Sequence, residues 1–164
     1  MEFRTATVDD LPVIAEIFLR CWTISYNSVL SESARNSFTL ESAAQLWGKS
    51  IETPGDKQTL LLTDGEKTVA VFRIGSDNDD ASRGHLFSLY VDPDSAGRGF
   101  GKSALNEAME RNRARGFSEM TLWVFAKNDI ANSLYTKSGF TPTGKSRTTP
   151  EWGALEIELI ATLE

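Results

Sequence analysis

The chain has 164 residues, 40% of them hydrophobic and 24% charged, which suits one globular domain and is too little for two enzyme domains. A single cysteine, Cys21, and a single histidine, His85, exclude an internal disulfide, a cysteine cage for zinc or iron–sulfur, and a multi-histidine metal site. The net charge of −6 argues against a general nucleic-acid binder, which needs positive surface to neutralise phosphates.

No apolar run approaches the roughly 18 residues of a membrane-spanning helix, and the opening M-E-F-R-T-A-T-V-D-D lacks the pattern of a signal peptide. A cytoplasmic, metal-free domain is therefore expected. Phe3–Ala6 reads as a first strand. Thr7 or Asp9 can cap the next helix, whose apolar stripe runs through Ile14, Phe18 and Cys21 and ends near Tyr26. A second helix is predicted over Leu40–Ile51, stopped before Thr53-Pro54-Gly55. Gln58–Thr63 and Thr68–Gly75 flank Asp64-Gly65, a strong hairpin signal. After a polar, solvated loop at Ser76–Asp80 comes a strand at Leu86–Val91. A helix begins inside Gly97–Gly101 and stops at Arg115-Gly116, where glycine can take the left-handed conformation. Phe117–Phe125 alternates as a strand through Met120, Leu122 and Val124. Asn128 can cap a helix reaching Lys137, and Phe140–Gly144 and Ala154–Ile160 are the last strands. The order is strand, two helices, three strands, helix, strand, helix, two strands: one α/β domain over residues 1–164 with a mixed sheet and flanking helices.

Charge is uneven. Residues 96–147 hold nine Lys/Arg against four Asp/Glu, so the rest of the chain is strongly acidic. A basic half in an acidic chain suggests a local anionic ligand or, equally, chance clustering on solvated helix faces. Within that half, V-D-P-D-S-A-G-R-G-F-G-K-S follows a strand and opens a helix. Gly97, Gly99 and Gly101 leave backbone N–H groups uncovered, and a helix N-terminus adds partial positive charge, so the loop can cradle an anion such as a pyrophosphate. Arg98 and Lys102 add charge at its rim. The dinucleotide fingerprint G-x-G-x-x-G fails at Lys102. The triphosphate loop G-x-x-x-x-G-K-[ST] matches Ala96–Ser103 except at its first glycine, but only 61 residues follow, too few for the parallel strands that motif serves.

From Leu86 onward the chain resembles the GNAT superfamily of N-acetyltransferases. Leu89-Tyr90-Val91-Asp92-Pro93 precedes Ala96-Gly97-Arg98-Gly99-Phe100-Gly101, which matches the family loop Gln/Arg-x-x-Gly-x-Gly/Ala except at Ala96. A second block fits at Asn128, Ala131, Leu134-Tyr135, Lys137 and Gly139-Phe140. The resemblance implies a mostly antiparallel central sheet, acetyl-CoA as cosubstrate without a metal, and transfer of an acetyl group to a primary amine by direct attack in a ternary complex. It implies that the backbone of Leu89 and Val91 pairs with the pantetheine arm, that residues 97–102 hold the pyrophosphate with Phe100 and Ser103 nearby, and that Asn128 touches pantetheine or caps its own helix. Tyr135 is the candidate general acid, with a packed core tyrosine as the other reading. His85 stands where the family often carries a glutamate base, and an ordinary histidine would titrate at about 6–7.5; an exposed strand-end residue is the alternative. Cys21, in the apolar stripe, reads as a packing residue rather than a nucleophile. Trp22 and Tyr26, with Phe38 and Trp47, are candidates to line the acceptor pocket, part of them as core. The acceptor is then a small-molecule or peptide amine, with no nucleic acid or membrane partner, and a homodimer stays open. A non-catalytic acetyl-CoA-binding module and a nucleotide-binding loop protein are the rival readings.

Overall fold

Seven strands form one sheet in the computed structural model, which describes residues 1–164: β1 (Glu2–Thr5), β2 (Gln58–Asp64), β3 (Lys67–Ser76), β4 (Gly84–Val91), β5 (Glu119–Phe125), β6 (Thr141–Thr148) and β7 (Leu155–Thr162). Their spatial order is β1-β2-β3-β4-β5-β7-β6. Every neighbouring pair is antiparallel except β4 and β5. The helices are α1 (Leu11–Arg20), α2 (Glu32–Arg35), α3 (Leu40–Glu52), α4 (Phe100–Ala114) and α5 (Asp129–Lys137).

The run Leu60-Leu61-Leu62 is wholly buried, although strand side chains alternate between faces. Helices cover both faces. Leu60 packs with Phe72, Leu86, Leu105 and Met120 beneath α4, whereas Leu61 packs with Val71, Ile14, Phe18 and Trp47 beneath α1 and α3. A strand covered on both sides reads as a continuous apolar run.

The first helix ends earlier than its apolar stripe. Regular α-helix stops at Arg20, and a π-helical turn over Cys21–Ser25 carries the chain to Tyr26. Such wide turns rotate the following side chains around the axis and are frequent at functional sites. The short α2 has no counterpart in the sequence reading, because four residues are too few to show a period. Its cap is Ser31, whose Oγ accepts from the Ala34 N–H at 3.2 Å.

The feature that builds the site is a split in the middle of the sheet. β4 and β5 pair only at Gly84–Leu86 against Met120–Leu122. On its other edge β4 carries a bulge at Phe87, since Arg73 opposes Ser88 and Ile74 opposes Leu86. A bulge bends its strand and increases local twist. Beyond it, the β5-facing edge of β4 from Phe87 to Val91 has no strand partner.

Candidate active site

Asp92 fixes the turn that leaves β4. Its side chain is 4% exposed and lies between Arg20 at 2.6 Å and Lys67 at 2.7 Å, and Arg20 also reaches Asp94 at 2.9 Å. The turn delivers the chain into the glycine loop. Gly97 (φ 77°) and Gly99 (φ 86°) occupy the left-handed region, where a side chain would be strained. Gly99 caps α4 without a side chain, and the first intrahelical bond runs from Ser103 N–H to Gly99 C=O at 3.0 Å. The N–H groups of Phe100, Gly101 and Lys102 are therefore left over, and no backbone carbonyl accepts from Gly97, Arg98 or Gly99. Nothing lies within 4 Å of a Cβ built on Gly97 or Gly99, so the space beside these two glycines is open. A row of free amides at a helix N-terminus fits a pyrophosphate.

These amides edge a cavity of about 350 Å³ that extends along the free edge of β4. Leu89, Val91, Gly97, Gly99, Phe100, Gly101, Lys102, Asn128 and Tyr135 line it. Arg98 and Ser103 do not. The Arg98 guanidinium pairs with Asp64 at 3.1 Å and lies over the Phe100 ring, while Ser103 sits inside the first helical turn. The basic bias of residues 96–147 is likewise not gathered here. Of its cations only Lys102 lines the cavity, while Arg111 and Arg113 pair with Glu107 and Glu110 along α4.

At the split, this cavity meets a second pocket of about 210 Å³. Leu89, Tyr90, Asn128, Ala131, Tyr135 and Tyr26 border both. Asn128 does cap α5, its Oδ1 accepting from Ala131 N–H at 3.2 Å. Tyr135 is 8% exposed and its ring packs against Phe140, yet it also faces both spaces. Burial, reinforced by Tyr90, pushes its phenol well above the ordinary 10, so it stays protonated.

The second pocket is aromatic. Trp22 and Tyr26 line it with Trp123, Phe125 and Trp152, and Glu156 supplies a carboxylate. Phe38 and Trp47 do not reach it. They form the layer behind, with their rings 4.9 Å and 6.0 Å from Phe18. Cys21 is a packing residue: its thiol is buried, donates to the Val91 carbonyl at 3.1 Å, and is pushed up to about 12 by burial.

His85 departs from both expectations. It is 6% exposed, not an exposed strand end. Burial, which outweighs the attraction of Asp77, pushes its ring down to about 4, below the 6–7.5 expected of an ordinary histidine. Asp77 is also buried rather than solvated, because it turns inward from the β3–β4 loop to Thr121. His85 lines a cavity of about 240 Å³ beside the aromatic pocket, and the two share Phe87, Trp123 and Glu156.

The sequence reading missed Trp123, Phe125, Trp152, Glu156, Thr121 and Asp77. Three of these had a signal: if Met120, Leu122 and Val124 face α4, then Thr121, Trp123 and Phe125 face the other side. Trp152 had none, because it reaches the pocket from the β6–β7 loop, where its ring packs 4.7 Å from Trp22.

The acetyltransferase (GNAT) family model matches residues 11–140, and the chain belongs to that family. The spermidine N(1)-acetyltransferase of Thermoplasma acidophilum is 25% identical over 85% of this chain and 88% of its own length. The mycothiol acetyltransferase of Beutenbergia cavernae is 43% identical over 63 residues, which are 38% of this chain and only 21% of that protein. Among solved structures, the PaiA N-acetyltransferase from Thermoplasma acidophilum in complex with coenzyme A superposes with a TM-score of 0.78 at 20% identity, over 98% of each chain. The ribosomal-protein-alanine N-acetyltransferase from Brucella melitensis gives 0.76 at 20% identity, over 99% of this chain and 100% of that one. At such identities the structures share the fold. No helix here is long and apolar enough to cross a membrane.

Proposed function

We propose that this GNAT family member transfers an acetyl group from acetyl-CoA to a primary amine, by direct attack within a ternary complex. The observation that carries the reading is the split between β4 and β5. It joins an amide-lined cavity to an adjoining aromatic, carboxylate-bearing pocket, and the two share Tyr26, Leu89, Tyr90, Asn128, Ala131 and Tyr135. Two substrates, one in each space, meet at Tyr135, which lines both.

When bound, acetyl-CoA supplies the acyl group as a thioester. The amides of residues 97–102 hold its pyrophosphate, with Lys102 adding charge. The free edge of β4 at Leu89 and Val91 receives the pantetheine arm as an added strand, and Asn128 borders the arm. The aromatic walls Trp22 and Tyr26 orient the amine and exclude water. As the amine nitrogen bonds to the carbonyl carbon and the carbon–sulfur bond breaks, the Tyr135 hydroxyl gives its proton to the thiolate. The nitrogen sheds its own proton on the acceptor side, to His85 or to a water beside it, and Tyr135 recovers a proton from solvent. Cys21 takes no part, so no acyl-enzyme forms.

The test is release of the coenzyme A thiol over a panel of polyamines, amino acids, aminoglycosides and peptide N-termini. Spermidine belongs in it because the Thermoplasma relative is named for that amine. Turnover with intersecting initial-velocity lines is expected. Parallel lines would indicate an acyl-enzyme and overturn the mechanism. Tight acetyl-CoA binding with no turnover across the panel would favour a binding module.

A further inference from the structure

Three buried side chains link into one chain on the acceptor side of the sheet. His85 Nδ1 lies 2.7 Å from Thr121 Oγ1, and Thr121 Oγ1 lies 2.6 Å from Asp77 Oδ2. The side chains of His85 and Asp77 are 8% and 4% exposed, and Thr121 is fully buried. The register makes this meeting possible: His85 and Thr121 are cross-strand partners in the short parallel stretch before β4 and β5 part.

Proton counting fixes the direction of both bonds. The threonine hydroxyl owns one proton and two lone pairs. Asp77 is held below the ordinary carboxylate range by hydrogen bonds from Thr121 and the Asp79 N–H, so it is ionised and brings no proton. The 2.6 Å contact to Asp77 therefore uses the hydroxyl proton of Thr121. The 2.7 Å contact to His85 then needs a proton from the ring, which places it on Nδ1. The ring is neutral at pH 7, so Nε2 keeps its lone pair. Nε2 has no hydrogen-bond partner within the chain, and His85 lines the cavity that shares Phe87, Trp123 and Glu156 with the aromatic pocket.

We propose that Asp77 and Thr121 are positioning residues for acetyl transfer: they lock His85 in the Nδ1–H form, so that its Nε2 lone pair receives an N–H of the acceptor amine. This rests on the acetyltransferase reading above. The acceptor it implies presents an N–H, as a neutral primary amine does, to a wall that has an imidazole lone pair beside the Glu156 carboxylate, itself paired with Arg147. Free histidine favours Nε2–H, which would point a donor at a donor.

The charged groups around the ring are Asp77 and Asp79 from the β3–β4 loop, Lys57 ahead of β2, Arg147 on β6 and Glu156 on β7. Arg147 Nε pairs with Glu156 at 3.0 Å and its guanidinium stacks over Trp123, and no hydrogen bond joins it to the His85 ring.

His85 is the only histidine, so protein labelled with [15N]histidine yields one imidazole spectrum. The wild-type ring should show Nδ1–H with a bare Nε2, unchanged from pH 5.5 to 8. Asp77→Asn keeps the shape but lets an amide N–H donate to Thr121, whose hydroxyl then turns to Nδ1; the ring should shift toward Nε2–H. Thr121→Val should shift it likewise and Thr121→Ser should restore it. In turnover, the Asn and Val variants should lose about tenfold or more in kcat/KM for the amine with KM for acetyl-CoA unchanged, and the Ser variant should recover. A wild-type Nε2–H ring, or the same tautomer in all folded variants, overturns the relay. Tautomer shifts without any change in amine kinetics overturn the positioning role. An Nδ1–H ring in a protein that acetylates no amine counts against the acetyltransferase reading and the catalytic use of His85, while the relay stands.

Discussion

Acid should unfold this protein over a window set by one side chain. In the unfolded chain His85 takes up a proton near its ordinary 6.5; in the folded chain burial holds it neutral down to about 4. Between those values the unfolded state binds more protons, so stability is fully present above about pH 6.5 and is lost as pH falls toward 4. The gap of roughly 2.5 units at 1.36 kcal/mol each amounts to about 3 kcal/mol. Solvent screening reduces this little, because the side chain is 8% exposed. Carboxylates whose pKa is lowered by folding, such as Asp92 and Asp10, release their share only below about pH 4, outside the window. His85→Asn gives the contrast: its amide nitrogen can still donate to Thr121, and it cannot take up a proton. Urea unfolding at pH 7, 5.5 and 4.5 is the assay. With a slope of about 2 kcal/mol per molar, the wild-type midpoint should fall by about 1.2 M more than that of the variant between pH 7 and 4.5. Comparing slopes against pH, rather than absolute stabilities, removes any packing cost of the substitution. Parallel pH profiles for the two proteins would refute the claim that His85 is buried neutral.

Three further outcomes follow from the site. Gly99→Glu should weaken coenzyme A binding at least tenfold by calorimetry, because it sets a carboxylate among the loop amides; it should also cost about 1–2 kcal/mol in stability for a side chain at φ 86°. Unchanged affinity in the folded variant would move the pyrophosphate elsewhere. Tyr135→Phe should lower kcat by about 10² while KM for acetyl-CoA stays level, since a general acid acts in the transition state; equal turnover would mean that another donor serves the thiolate. Cys21, with its thiol pushed up to about 12, should resist alkylation in the native protein at pH 8, and Cys21→Ala should keep its turnover. Rapid labelling or a dead Ala variant would reopen an acyl-enzyme route.

Local patterns in the sequence determined the elements and one half of the site. The glycines at 97 and 99, between an apolar strand and a helical stripe, are a local device, since a residue without a Cβ takes their left-handed angles without strain beside a helix N-terminus; Gly101 already has ordinary helical angles. The helix that carries Tyr135 was legible for a similar reason, since its cap at Asn128 and its closing Gly139 lie within a dozen residues, whereas the candidate role of Tyr135 came from the resemblance to the family. The state of His85 was not legible. Whether it is exposed and titrating or buried and neutral depends on Thr121 and Asp77, which reach it from another strand and from the loop before its own. The aromatic pocket likewise assembles from the π-turn after α1, from β5 and from the β6–β7 loop, and no spacing along the chain encodes that meeting. Arg98 shows the converse: a cation beside the loop in sequence was drawn away by Asp64 across the fold. Periodicity and glycine placement act over one or two turns of chain. Desolvation and hydrogen-bond direction depend on neighbours in space, and only the tertiary structure supplies those.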